Sequence, residues 1–91
     1  NLEAAFRLAR ENRPQLILMD VVMPGLNGFH ATREISKDPA MRNVPIIICS
    51  SKHQETDRIW GLRQGAREYL VKPVDPEQLL QKIAALSRAA A

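Results

Sequence analysis

The chain has 91 residues, 45% of them hydrophobic, which is enough for one domain, and no Pro-, Gly- or Ser-rich stretch is long enough to act as a linker. Its formal net charge is +3, but nine of the thirteen basic residues are arginines spread from Arg7 to Arg88, acids are interleaved, and aromatics to stack on bases are few, so direct nucleic-acid binding is not expected. The apolar runs Leu16-Ile17-Leu18-Met19 and Ile46-Ile47-Ile48-Cys49 fall far short of the roughly 20 residues needed to span a bilayer, no signal-peptide pattern is present, and a single cysteine excludes an internal disulfide. These features imply no membrane insertion, a reducing cytoplasm, and Cys49 as a small buried residue.

Residues 2–11 place Leu2, Ala5, Phe6, Leu8 and Ala9 on one side of a helical period that must end before Pro14. Gln15 to Asp20 is an apolar run of strand length without alternation, the pattern of a strand covered on both faces. The turn cluster Pro24, Gly25, Asn27 and Gly28 is followed by a helix carrying Phe29, Ala31, Thr32 and Ile35 and stopping before Pro39. Val44 to Cys49 forms a second buried strand, rich in β-branched residues. Ser51 with Gln54 has the form of a capping box, and Thr56 to Gln64 turns Ile59 and Leu62 inward before Gly65 closes a short helix. Glu68 to Lys72 supplies a third strand. Asp75-Pro76 with Gln78 then starts a last helix whose apolar face is Leu79, Leu80, Ile83, Ala84 and Leu86.

Strands buried on both faces and joined through helices imply an α/β fold, an open parallel sheet with right-handed crossovers. In such sheets the chemistry collects beyond the carboxyl ends of the strands, where Asp20, Ser50 and Lys72 all fall. A carboxylate, a hydroxyl and an ammonium at one sheet edge suit a phosphoryl site. Asp20 serves as nucleophile, giving an acyl phosphate, while Lys72 and the Ser50 hydroxyl each hold a phosphoryl oxygen. A hard cation, Mg²⁺, would offset the repulsion between carboxylate and phosphate, with the Val22 backbone carbonyl as one oxygen ligand beside Asp20.

Three segments carry a family resemblance. The run Leu18-Met19-Asp20-Val21-Val22-Met23-Pro24-Gly25-Leu26-Asn27-Gly28, the strand end Ile48-Cys49-Ser50-Ser51, and Gly65-Ala66-Arg67-Glu68-Tyr69-Leu70-Val71-Lys72-Pro73 resemble, in order and spacing, the receiver domains of two-component response regulators. The resemblance implies a flavodoxin-like receiver topology, with three strands and four helices of the family's usual five and five. It implies that Asp20 takes its phosphoryl group from a histidine kinase with Mg²⁺, that Ser50 and Lys72 bind it, and that Pro73 follows a cis peptide bond. Tyr69 matches the switch aromatic: on phosphorylation Ser50 moves toward the phosphate, Tyr69 turns inward, and an output face changes its partner preference. Arg58, Leu62 and Tyr69 are the interface candidates on that face. Residues 52–66 look similar to the single-domain, chemotaxis-type receivers of type IV pilus and twitching motility pathways, which implies a downstream motility or signalling protein as partner. A homodimer is compatible with the same reading.

The family normally begins with a strand carrying an acidic pair for the metal, a helix and a second strand. Residues 1–91 are therefore expected to be one receiver domain lacking its N-terminal part, with the acidic pair missing and the strand that ends in Asp20 left as an edge. The leading expectation is a phosphorylation-controlled interaction switch rather than an enzyme. The alternative is a phosphorylation-incompetent docking module. A hydrolytic phosphatase is disfavoured, because Val22 stands where a second acid would assist turnover. His30 and His53 lack partners at ligand spacing and read as structural or exposed, and Trp60 reads as a packed aromatic.

Overall fold

The computed structural model describes residues 2–12, 14–21 and 27–90, with side chains described from Arg7 to Arg88. Its centre is strand β2 (Ile46–Ser50), which pairs in parallel with β1 (Ile17–Asp20) on one side and β3 (Glu68–Val71) on the other. Four helices, α1 (Leu2–Asn12), α2 (Gly28–Lys37), α3 (Glu55–Arg63) and α4 (Pro76–Ala90), alternate with the strands along the chain. The expected α/β layering with parallel strands is the observed one.

The two faces of the sheet are covered by different helices. In one cross-strand row, Met19, Ile48 and Tyr69 stand side by side and join Ala31 and Ile35 of α2 in the main core, with Ala9 of α1 and Leu62 of α3 packed against it. The next row, Leu18, Ile47 and Glu68, faces the opposite way, and there Lys82 of α4 pairs with Glu68 at 3.2 Å. Ile47 is fully buried on that side, whereas Leu18 beside it is 50% exposed. Cover on both faces thus holds for the central strand and not for β1. The helices also turn differently from the periodicity-based expectation: Leu8, Ile59, Leu80 and Ala84 face solvent, and so does Trp60, 53% exposed. Periodicity places these residues on one side of an element, and part of that side has no second layer packed against it. Leu2, Ala5 and Phe6 fall where side chains are not described.

Caps explain where the helices start and stop. Asn27 Oδ1 accepts from the N–H groups of Phe29 and His30, both at 3.1 Å, and opens α2. The Thr32 hydroxyl, fully buried in that helix, donates to the Gly28 carbonyl at 2.7 Å and so meets its own hydrogen-bonding need. Helix α3 begins one turn later than expected: its N-cap is Gln54, whose N–H donates to Asp57 Oδ2 at 3.2 Å, and Ser51 lies outside it. Asp75 opens α4, its Oδ1 accepting from the Glu77 N–H at 3.2 Å. Gly65 turns the chain out of α3 at a φ of +114°, where any Cβ would collide with the Ser36 side chain.

Asp38 at the end of α2 ties that helix to α1. Its Oδ2 accepts from Arg10 Nε at 2.8 Å and its Oδ1 from the Ala40 N–H at 2.8 Å, and the Arg10 bond, followed by the Ala40 bond, holds the carboxyl below its usual pKa. A depressed carboxylate pKa contributes stability above the unfolded-state value and loses it as pH falls through the folded one. Urea denaturation of Arg10→Ala across the acid range is expected to show a smaller loss of stability on acidification than the parent; equal slopes would dismiss the linkage. In the core, Ile48→Ala is expected to cost about 2–5 kcal/mol by the same measurement, since Ile48 is fully buried on the central strand.

Candidate functional site

The parallel register delivers three side chains to one edge. Asp20 ends β1 opposite Cys49, Ser50 ends β2 opposite Val71, and Lys72 follows β3, its N–H held by the Ser50 carbonyl at 2.8 Å. Lys72 Nζ donates to Asp20 Oδ2 at 2.7 Å, joining residues 52 positions apart in the chain. The two side chains are 32% and 39% exposed, so the pair is screened by solvent yet open to an incoming reagent. The Lys72–Pro73 peptide bond is cis.

Ser50 is close by but differently engaged. It is fully buried, and its Oγ accepts from the Lys52 N–H at 3.0 Å, which leaves the hydroxyl proton to be donated elsewhere. Lys52 in turn accepts at its carbonyl from Tyr69 Oη at 2.8 Å. Tyr69 is only 9% exposed, packed in the core row with Ile48. The Lys52 ammonium lies 5.8 Å from the centroid of the Phe29 ring, within cation–π range. Lys52 therefore links the strand end at Ser50 to Tyr69 through its backbone, a role that residue type alone does not reveal.

Of the interface candidates, Arg58 is exposed on α3 and bonds Glu55 Oε1 through Nη2 at 2.6 Å, a contact that lowers the Glu55 pKa and raises its own. Leu62 is half-buried against the core. Both histidines are exposed. Cys49 is half-buried beside Asp20; burial, then the Asp20 carboxylate, pushes its thiol pKa up, and the Lys72 ammonium opposes them.

The Val22 carbonyl lies outside the described residues. Among those described, no three His, Cys, Asp or Glu side chains converge on a point that would hold a metal ion. Asp20 is the carboxylate at the strand ends, and one of its oxygens already faces the Lys72 ammonium. These residues do not by themselves make the near-octahedral oxygen set that Mg²⁺ requires. No helix of the described residues is long and apolar enough to cross a membrane.

Comparison with known proteins places the geometry in context. The response regulator receiver domain family matches residues 1–84. Protein PilH of Pseudomonas aeruginosa is 58% identical over 79 residues, 87% of this chain and 65% of PilH, so the chain spans just under two-thirds of that relative. Among solved structures, the receiver domain of Francisella response regulator 1452 superposes with a TM-score of 0.88 at 27% identity, covering 100% of this chain and 74% of that one. The Mn²⁺-bound form of response regulator Rcp1 gives 0.70 at 26% identity, covering 94% and 67%.

The electrostatic contacts around Cys49 generate a signed expectation. Alkylation by iodoacetamide at mildly alkaline pH should run slower than for a free thiol, faster in Asp20→Asn and slower still in Lys72→Met. Identical rates in the three proteins would show that the charges do not reach the sulfur.

Proposed function

Because the chain belongs to the response regulator receiver domain family, we propose that Asp20 is its phosphoacceptor and that Lys72 and Ser50 bind the transferred group. The observation that carries the reading is the 2.7 Å contact between Lys72 Nζ and Asp20 Oδ2 at the carboxyl end of the sheet. An Asp20 oxygen attacks the phosphorus of a phosphohistidine on a histidine kinase, the P–N bond breaks, and the imidazole leaves with the electron pair. Lys72, already on the carboxylate, moves its positive charge onto a phosphoryl oxygen, and the Ser50 proton is available for another.

Receiver domains generally take Mg²⁺ for phosphorylation, where it offsets negative charge between carboxylate and phosphate. Asp20 is the ligand this chain's described residues would contribute. The family consists of signalling domains, and the role proposed here is that of a phosphoacceptor, not a turnover enzyme. Residues 1–91 belong to one receiver domain in the cytoplasm, with Tyr69, Arg58 and Leu62 on the face that selects the downstream partner. The likeness to PilH supports a motility or signalling protein as that partner.

Incubating the full-length protein with acetyl phosphate and Mg²⁺ is expected to add one phosphoryl mass, lost in Asp20→Asn and formed about ten-fold or more slowly in Lys72→Met. Equal labelling of Asp20→Asn would refute the assignment. A docking module without phosphotransfer is the competing reading. It requires that the intact mass not change at all.

A further inference from the structure

Helix α3 contains a glycine in its interior, Gly61, where helix propensity alone favours almost any other residue. Gly61 is buried, and a Cβ built on it would stand 2.9 Å from Tyr69 Cδ2, 3.2 Å from Ile48 Cδ1 and 3.3 Å from Phe29 Cε1. The last two distances are absorbed by small movements of flexible or peripheral atoms. The first is not: Cδ2 is part of a rigid ring held at its far end by the Oη bond to the Lys52 carbonyl at 2.8 Å. A swing of the ring about χ1 relieves that overlap, and it breaks the bond to Lys52 and carries the phenol toward solvent.

We propose that Gly61 is a positioning residue: the space left by its missing side chain is what allows Tyr69 to lie buried, hydrogen-bonded to Lys52, while Asp20 is still paired with Lys72 and carries no phosphoryl group. The resting position of the aromatic is then set by α3 and not by the chemical state of Asp20 alone. This rests on the reading of Tyr69 as the switch residue of a receiver domain. It adds that the balance of that switch is adjustable at a helix position that touches neither Asp20 nor Lys72.

Tyr69 is the single tyrosine of these 91 residues, and the ring-¹³C tyrosine signal that disappears in Tyr69→Phe identifies its NMR reporter. In the full-length protein, Gly61→Ala is expected to move that reporter most of the way toward its shift in urea, while circular dichroism retains the parent helix content. A reporter that stays at its parent position in a folded Gly61→Ala protein overturns the proposal. Acetyl phosphate with Mg²⁺ is expected to shift the reporter several-fold more in Gly61→Ala than in the parent, because only the variant starts with the ring outside. An equal donor-induced shift in two proteins that both label on Asp20 also overturns it. Failure of both proteins to label counts against the phosphoacceptor reading instead, and the donor-free displacement still decides the role of Gly61. Should Gly61→Ala not fold, the same substitution is made in a Tyr69→Val background, which has no δ carbon. There it is expected to fold and to raise the urea midpoint through better helix propensity, and unfolding in that background as well defeats the proposal.

Discussion

Strand β2 has a neighbour on each side, and both pairings are parallel and in register. This constraint governs the rest of the molecule. Because all three strands run the same way, their carboxyl ends fall together, and residues from β1, β2 and just beyond β3 meet without any of them being near another in sequence. The apolar content of β2 holds the arrangement in place: Ile46, Ile47 and Ile48 are almost completely buried, so both faces of the strand resist a slip of one residue, which would exchange core and cover along its whole length. Asp20 and Lys72 reach one another only in this register.

Two kinds of bonding then divide the labour at that edge. The Asp20–Lys72 contact is a charged side-chain pair, partly open to water. The contacts from Ser50 to Lys52 and from Lys52 to Tyr69 are neutral, use the Lys52 backbone at both ends, and lead away from the edge into the core. A change in the Ser50 hydroxyl therefore bears on the peptide units that also anchor Tyr69. The end of β2 and the Tyr69 hydroxyl are bridged by one residue whose side chain lies elsewhere, over Phe29.

Much of this was legible in the amino-acid order. The unbroken apolar runs announced parallel strands, and the position of Asp20, Ser50 and Lys72 at or just past their ends announced that they share one edge of the sheet. The orientation of Leu18, Trp60, Ile59 and Leu80 was not, because periodicity reports which residues share a side of an element and says nothing of whether another layer lies against it. The cap of α3 was misplaced for a related reason: Ser51-x-x-Gln54 and Gln54-x-x-Asp57 are both acceptable spacings, and only the path of the loop decides between them. Lys52 was invisible because its contribution is made by backbone atoms. Gly61 carried a signal, a glycine within a helical pattern, whose meaning depended on knowing that a tyrosine ring fills the gap.

Trp60 and Gly61 are consecutive in α3, yet one presents its indole to solvent and the other its empty side to Tyr69. The chain holds one tryptophan and one tyrosine, so the two chromophores lie on the outer and inner sides of the same helical turn. Optically, α3 already has one probe on its outer side and another beneath it. Indole emission reports what arrives at the outer surface, phenol absorbance reports what happens beneath it, and energy transfer between them tracks the helix itself.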